Sequence, residues 1–448
     1  MFHIIFACTN KLGIGYNNKL PWNIPEELKL FKNITKDSVL IMGRKTVEHL
    51  PYLKDREICC ITRQQDLNTK DYKNKVKVFN DILSALEYYK GKRIFVGGGS
   101  EIYKEAFRLY FDKVYVSIIK EGNTTNIPNK FINFERKDFV ISEMKDYDKF
   151  THYVLKREDT EESQYLSLLE NVYYNGKNKV GRNGLTRSLF GHTLRFNLQH
   201  GYPLLTTKNM FFRGIVEELL FFIRGDTNTK LLEDKKINIW RGNTNRKFLD
   251  SLNMKEREEG VMGPMYGYQW RNYNASYNEK KSSCNEKGLD QLKEVIEKIK
   301  TDPHSRRILL TDFNPLQAKQ GVLYPCHSII IQFYVEGEYL DMFCYNRSSD
   351  LFHGLPFNIA SSSLFLILIS KIVKLKPRDF ILSLGDSHIY ESHFNAVKTQ
   401  LDRICYKFPK INVKKELNCI EDVEKMVYSD FELENYNYHK TIKAKMVE

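Results

Sequence analysis

Alternation is the feature that most constrains this chain. Across its first half, short apolar runs of strand length are separated by amphipathic stretches of helix length. Strands are expected at residues 2–8, 39–42, 58–62, 76–79, 94–96 and 114–119, and helices at 26–35, 46–50, 82–89 and 101–109. That order predicts an α/β domain with a mainly parallel central sheet. The alternation gives way at Arg157-Glu158-Asp159-Thr160-Glu161-Glu162-Ser163, a charged stretch without apolar periodicity that reads as a short linker. A chain of 448 residues also exceeds what one core fills. The expected organisation is residues 1–157, a linker at 158–163, and an α+β domain at 164–448. The second domain opens on an amphipathic run at 165–173. It continues with a buried helix at 214–223, paired strands near 329–335 and 339–345, and a buried helix around 361–370.

Composition narrows the class. No run of ~18 uncharged apolar residues occurs, so no membrane-spanning helix is expected. No basic segment followed by an apolar core and a cleavage site opens the chain, so no secretory signal is expected. Eight cysteines are scattered without CxxC or Cys/His spacing, which points to free thiols in a reducing, cytoplasmic setting and to no metal. A net charge of +13 favours anionic partners, nucleic acids or small phosphates and carboxylates, though the basic residues mix with acidic ones throughout.

Two constellations carry chemistry. In Leu323-Tyr324-Pro325-Cys326-His327 a cysteine precedes an apolar strand, with Arg306 and Arg307 upstream and Arg347 downstream. Adjacent cations stabilise a thiolate, and paired arginines grip phosphate in a bidentate way, so a nucleophilic cysteine and a phosphate-bearing substrate are expected. The competing reading is a buried structural cysteine. In Trp22-Asn23-Ile24-Pro25-Glu26-Glu27-Leu28, Glu26 needs no role beyond complementing a helix dipole. Glu27 shares its helix face with Leu30, Phe31 and Ile34. A carboxyl there has a raised pKa and can serve as a proton donor or relay. Gly43-Arg44-Lys45-Thr46 and Val96-Gly97-Gly98-Gly99-Ser100 each join a strand to a helix with free amides, and Thr62 and Arg63 end a third strand. These turns suit phosphate, without the GxGxxG fingerprint of dinucleotide binding.

Taken together, Ala7, Gly15, Leu20-Pro21-Trp22, Pro25-Glu26-Glu27-Leu28, Phe31, Ile41-Met42-Gly43-Arg44-Lys45-Thr46, Arg56, Gly97-Gly98-Gly99 and Tyr103 resemble dihydrofolate reductase over nearly all of the first half. The resemblance implies hydride transfer from NADPH to dihydrofolate. It places Glu27 at the pterin, with Ala7, Trp22, Phe31 and Tyr103 lining the folate pocket and Arg56 on the glutamate carboxylate. Ala7, Gly15, Lys45, Thr46, Gly97, Gly98 and Gly99 would hold NADPH, and Arg44, Thr62 and Arg63 would favour its 2′-phosphate. The spacing from Gly99 to Tyr103 is one residue longer than the family's.

From about Tyr165 onward the chain resembles thymidylate synthase. The resemblance rests on Pro203-Leu204-Leu205-Thr206-Thr207-Lys208, Glu217-Glu218-Leu219-Leu220, Ile239-Trp240, Gly263-Pro264-Met265-Tyr266-Gly267, Ser305-Arg306-Arg307, Pro325-Cys326-His327, Asn346-Arg347-Ser348-Ser349-Asp350, Gly354-Leu355-Pro356-Phe357-Asn358 and Gly385-Asp386-Ser387-His388-Ile389-Tyr390. It implies that Cys326 attacks C6 of dUMP and that Arg182, Arg347 and Ser348 bind the 5′-phosphate. Arg306 and Arg307 would reach into a partner subunit's site, making the enzyme a homodimer. Asn358 would read the uracil edge, and His388 and Tyr390 the ribose. Glu218 would order a proton-transfer water network, with Tyr266, His327 and Asp386 in the catalytic set. Trp240, Asn243, Asp350 and Gly354 would face 5,10-methylenetetrahydrofolate. His327 has a purely structural alternative. The chain departs from the family at the Arg182 loop, at Arg241, and at its terminal Glu448. Both resemblances on one chain imply a bifunctional enzyme of the protozoan or plant type, with NADPH as cofactor, no metal, no membrane partner and nucleic acid disfavoured. Its rivals are a dCMP hydroxymethylase, which Asn358 argues against, and a nucleic-acid-binding regulator suggested by charge alone.

Overall fold

The computed structural model describes residues 2–64, 72–158, 160–181, 184–278, 283–284 and 288–447. The chain forms two compact units, Met1–Thr160 with Ile404–Tyr406, and Glu161–Arg403 with Lys407–Glu448.

The first unit is built on an eight-stranded sheet. Its strands are β1 His3–Thr9, β2 Ser38–Gly43, β3 Arg56–Ile61, β4 Val76–Phe79, β5 Ile94–Val96, β6 Lys113–Ile119, β7 Phe139–Asp146 and β8 Phe150–Arg157, ordered β4-β3-β2-β5-β1-β6-β8-β7. The first six run parallel. β8 lies antiparallel to both β6 and β7. Helices α1 Pro25–Ile34, α2 Arg44–Glu48, α3 Ile82–Tyr88 and α4 Ser100–Ala106 make the connections. Along β1, Ile4, Phe6 and Cys8 enter one core cluster, while Ile5 enters another with Leu40, Met42, Ile58 and Phe95. A sheet buried on both faces turns its strands into unbroken apolar runs, which is why they were readable. The expected strands fall within two residues of the observed ones. The closing hairpin β7–β8 had no such signal, because β7 buries only Phe139, Val140 and Ile141 and leaves its other five residues exposed.

The second unit carries a six-stranded sheet. Its strands are β9 Lys177–Gly181, β10 Gly184–Asn197, β11 Leu309–Thr311, β12 Ile330–Glu336, β13 Tyr339–Asp350 and β14 Lys376–Tyr390, ordered β9-β10-β14-β13-β12-β11. Only β13 and β14 pair in parallel. The crossover between them is α7, Gly354–Val373. This helix is long and apolar enough to cross a membrane by length and composition, but its apolar residues are buried against the sheet.

The charged stretch 157–163 is not all linker. Glu162 opens α5, Glu162–Asn175, and is fully buried. Its carboxylate accepts from the backbone amides and hydroxyls of Thr206 and Thr207 at 2.6–2.9 Å. A buried carboxylate is tolerated only with such compensation, and here the donors lie over forty residues away in sequence. Asp159 lies outside the described residues.

Candidate active sites

In the first unit, Pro25 occupies the first position of α1 behind an extended Ile24, so the helix begins where its missing N–H costs nothing. The next turn puts Glu26 outward and Glu27 inward, only 6% exposed. Burial pushes the Glu27 carboxyl up to about 7, opposed by a hydrogen bond from Ser117. Ser117 lies on β6 between Ala7 on β1 and His152 on β8, its direct register partners. Trp22 and Ala7 pack with Ile24, Leu30, Ile119 and Phe150, and the buried Trp22 Nε1 has no hydrogen-bond partner among the described residues. Phe31 packs on the other cluster, against Ile5, Leu40 and Met42. Tyr103 is buried and its hydroxyl donates to the Ile5 carbonyl at 2.8 Å.

Arg56 is anchored at the opposite end of α1. Its guanidinium donates to Thr35 Oγ1 at 3.0 Å and to the carbonyls of Lys54 and Lys32. Gly43 and the glycine turn touch, the Gly43 amide donating to the Gly98 carbonyl at 2.7 Å. A Cβ on Gly97 would meet the flexible end of Met42 at 2.7 Å, and Gly98 has φ +120°, a conformation that strains any residue but glycine. Thr46 sits beside Gly99 across the same gap. Arg44 forms an exposed pair with Glu48 at 2.5 Å, Lys45 and Arg63 are exposed, and Thr62 accepts from the Gln64 amide. Gly15 lies on a short strand apart from the main sheet.

In the second unit, Cys326 Sγ lies 3.6 Å from the Tyr266 hydroxyl. Tyr266 has φ +43°, a strained conformation for a tyrosine. The following Gly267 makes this bend fit, since a Cβ there would lie 2.0 Å from the Phe222 carbonyl oxygen. The His327 ring stacks on Tyr266 with centroids 4.3 Å apart, and burial lowers its pKa to about 4. Arg347 pins the cysteine loop. Its amide donates to the Cys326 carbonyl at 3.0 Å and its guanidinium to the carbonyls of Pro325 and Tyr324 at 2.6 and 2.9 Å.

Of the three arginines expected near this thiol, Arg347 is the one that acts on it within a single chain. Burial raises the Cys326 pKa, against opposing contributions from the Tyr266 hydroxyl and Arg347. Arg306 and Arg307 are exposed and act on it through neither contact nor field. Closeness in sequence did not become closeness in space, because the antiparallel pairing of β11 with β12 sets Leu309 opposite Gln332 and carries the preceding Arg306 and Arg307 away from the end of β12 that follows Cys326.

Glu218 projects from the helix Phe212–Ile223 and accepts from Trp240 Nε1 at 2.8 Å. Burial pushes its carboxyl to about 7. Trp240 also packs near the Tyr266 ring, 5.9 Å away, and Asn243 lies one turn on. His388 Nδ1 bonds Asp386 Oδ1 at 3.0 Å, and the His388 and Tyr390 rings meet edge-on. Asp386 also pairs with Lys179 at 3.3 Å. Asp350 Oδ1 accepts from the amides of Phe352 and His353, so it caps the turn into α7 at Gly354. Ser348 and Asn358 are half-buried, at the end of β13 and in the first turns of α7. Arg182 lies outside the described residues.

One residue of this site had no sequence signal. Asp312 is 1% exposed, and both its carboxylate oxygens are buried without a hydrogen-bond partner. Burial pushes it well above the carboxylate range, and its field reaches Cys326, Tyr266 and Cys344.

Two units, one with a buried acid and a glycine turn and one with a thiol set among a tyrosine, an arginine and a second buried acid, define an enzyme with two sites. Comparison with known proteins agrees. The dihydrofolate reductase family model matches residues 1–159 and the thymidylate synthase model residues 163–448. The bifunctional dihydrofolate reductase-thymidylate synthase of Paramecium tetraurelia is 39% identical over 99% of this chain and 98% of its own length. The Zea mays protein of the same description is 36% identical over 99% and 96%, and that of Leishmania major 34% over 99% and 95%. The chain belongs to the bifunctional dihydrofolate reductase–thymidylate synthase family. It is an NADPH oxidoreductase and a methyltransferase, and it uses NADPH and 5,10-methylenetetrahydrofolate. The geometry fits both. The Gly97–Gly99 turn holds Gly98 in a conformation that strains any other residue, and Trp22 Nε1 is a buried donor without a partner among the described residues.

Proposed function

We propose that the first unit reduces 7,8-dihydrofolate to tetrahydrofolate and that the second converts dUMP to dTMP through a Cys326 adduct. One observation supports both halves. Each unit holds a carboxyl, Glu27 or Glu218, that burial has lifted to about 7 and that has no ion-pair partner among the described residues. Such groups trade protons near neutral pH.

In the reductase half, Glu27 holds the pterin and supports protonation at N5, Ala7, Trp22, Phe31 and Tyr103 shape the pocket, and Arg56 takes the glutamate carboxylate. NADPH supplies the hydride. Thr46 and the glycine turn hold its phosphates, and Arg44, Thr62 and Arg63 select the 2′-phosphate. In the synthase half, Cys326 loses its proton and forms a bond to C6 of dUMP, leaving an enolate that takes the one-carbon unit at C5. Arg347 and Ser348 hold the phosphate, Asn358 pairs with the uracil edge, and His388 and Tyr390 hold the ribose. Glu218 orders the proton-transfer water, and Trp240, Asn243, Asp350 and Gly354 line the folate side. Loss of the C5 proton expels tetrahydrofolate and leaves an exocyclic methylene; a hydride from that tetrahydrofolate reduces the methylene as Cys326 departs, giving dTMP and dihydrofolate, which the first unit reduces again.

The second unit works as a homodimer. With α7 on one face of its sheet, the other face exposes Leu309, Ile330, Tyr334 and Phe343. Phe333, which points the opposite way, meets Phe365 of α7. A sheet face this apolar calls for a cover, and Arg306 and Arg307 sit at its edge, ready to enter a second copy's site. The location we propose is the cytoplasm, where the seven described cysteines would stay as the free thiols they are. Absorbance assays of the purified chain test the reading. Dihydrofolate should form from dUMP and methylenetetrahydrofolate, and NADPH should be consumed when dihydrofolate is supplied. Failure of either signal removes the corresponding half.

A further inference from the structure

His152 is a buried polar residue that neither half-reaction has so far used. It lies on β8, 8% exposed, and β8 presents it to the face of β6 that carries Ser117. Its Nδ1 is 3.2 Å from the Ser117 hydroxyl oxygen. The same hydroxyl bonds Glu27. Ser117 has one hydrogen and two lone pairs. When that hydrogen points at the Glu27 carboxylate, Nδ1 must be the donor to Ser117. When Glu27 is neutral and donates, Ser117 turns its hydrogen to Nδ1, which must then be bare. The two ring tautomers therefore correspond to the two states of Glu27.

We propose that His152 is a positioning residue of the reductase, steering the proton of Glu27 by deciding which neighbour the Ser117 hydroxyl serves. This rests on the reading of Glu27 as the proton-supplying acid. Burial alone lowers the His152 pKa, to about 4, so the ring stays neutral through the working range and acts by tautomer, not by charge. The surrounding titratable groups leave it that role. Lys145, its register partner on β7, is exposed, the Tyr115 ring on β6 stacks 6.4 Å away, and Tyr103 near Glu27 is tied to Ile5. Nε2 has no hydrogen-bond partner among the described residues and is not one of their sealed, unpartnered polar atoms, so water can exchange its proton as the tautomer changes.

The test compares three variants by single-turnover hydride transfer from NADPH across pH, with synthase activity as the control for folding. His152→Phe removes the donor to Ser117 and weakens its bond to the carboxylate. The alkaline limb of hydride transfer should move up by about half to one pH unit. His152→Asn places an amide near Nδ1 and should restore the wild-type limb. An unmoved limb in His152→Phe, with Glu27→Gln inactive, overturns the inference and leaves the Glu27 reading standing. Reduction that survives in Glu27→Gln removes that reading instead. If the Phe variant does not fold, 15N-histidine spectra decide, with the His152 signal identified by its loss in the Asn variant. The ring should be Nδ1–H above about pH 8 and Nε2–H below about pH 6; one tautomer throughout overturns the proposal.

Discussion

The two sites differ, on the proposed reading, in how much of themselves one chain supplies. Around Glu27 the reductase pocket draws its described parts from β1, α1, β6 and β8 of a single sheet and its covering helix, and the acid is sealed at 6% exposure. Around Cys326 the chain's own contribution is Tyr266, Arg347 and the buried Asp312. Arg306 and Arg307 face solvent, and the sheet beside them shows apolar residues outward. A site complete within a chain can be tuned by burial alone, whereas one that needs cations from a second copy ties its chemistry to assembly. The Cys326 thiol, raised by burial in the isolated chain, fits that dependence.

The sharpest way to break the comparison is to cripple each half separately. Cys326→Ala and Arg306→Ala homodimers should both lose synthase activity to background while reducing dihydrofolate normally. Mixed and exchanged, half of the dimers are heterodimers and one of their two sites is intact, so about a quarter of wild-type activity should return. No recovery despite demonstrated subunit exchange would mean that the site is self-contained. Next in size, Glu27→Gln should lower reductase turnover at neutral pH by about 10²–10⁴-fold, with dTMP synthesis untouched. Steady-state rates of both reactions on one preparation check this.

A smaller effect probes the nucleotide. Asn358 can donate to O4 of uracil and accept from N3–H, while an ionised aspartate only accepts. Each mismatched buried polar group costs about 1–3 kcal/mol, so Asn358→Asp should lose an order of magnitude or more in kcat/KM for dUMP and gain relatively for dCMP. A wild-type ratio of the two nucleotides in this variant would mean that Asn358 does not read the base.

The two halves were also unequally legible. Helical spacing alone put Glu27 on the apolar face, because the period of α1 orders its neighbours as the fold does. The parallel strands showed as apolar runs. His152 did not show, since a histidine between Thr151 and Tyr153 in a half-polar strand carries no mark of what β6 sets opposite it. Glu162 sat in a charge run that reads as linker, and only Thr206 and Thr207, distant in sequence, reveal it as core. Asp312, in Thr311-Asp312-Phe313-Asn314-Pro315, resembles a turn residue, yet the fold buries it beside the thiol. In the synthase half, sequence neighbours misled where burial and assembly decide; in the reductase half they did not.

The least disruptive prediction uses no mutation. The carboxyl of Glu27 is raised to about 7, and reduction needs its proton, so kcat/KM for dihydrofolate should be level below that pH. Above it, the protonated fraction and the rate fall about tenfold per pH unit. Cys326 has the opposite requirement. Its thiol is raised by burial and attacks only as the thiolate, so kcat/KM for dUMP, which reports the free enzyme, should climb over the same alkaline interval. The two profiles should therefore diverge above neutral pH within one protein sample, where differences in folding or concentration cannot explain the divergence. Parallel profiles would show that one of the two groups does not titrate in the step assigned to it. A reductase limb that alone fails to fall would point to Glu27, and a synthase limb that alone fails to rise would mean that the nucleotide or the partner's arginines have already brought the thiol to its ionised form.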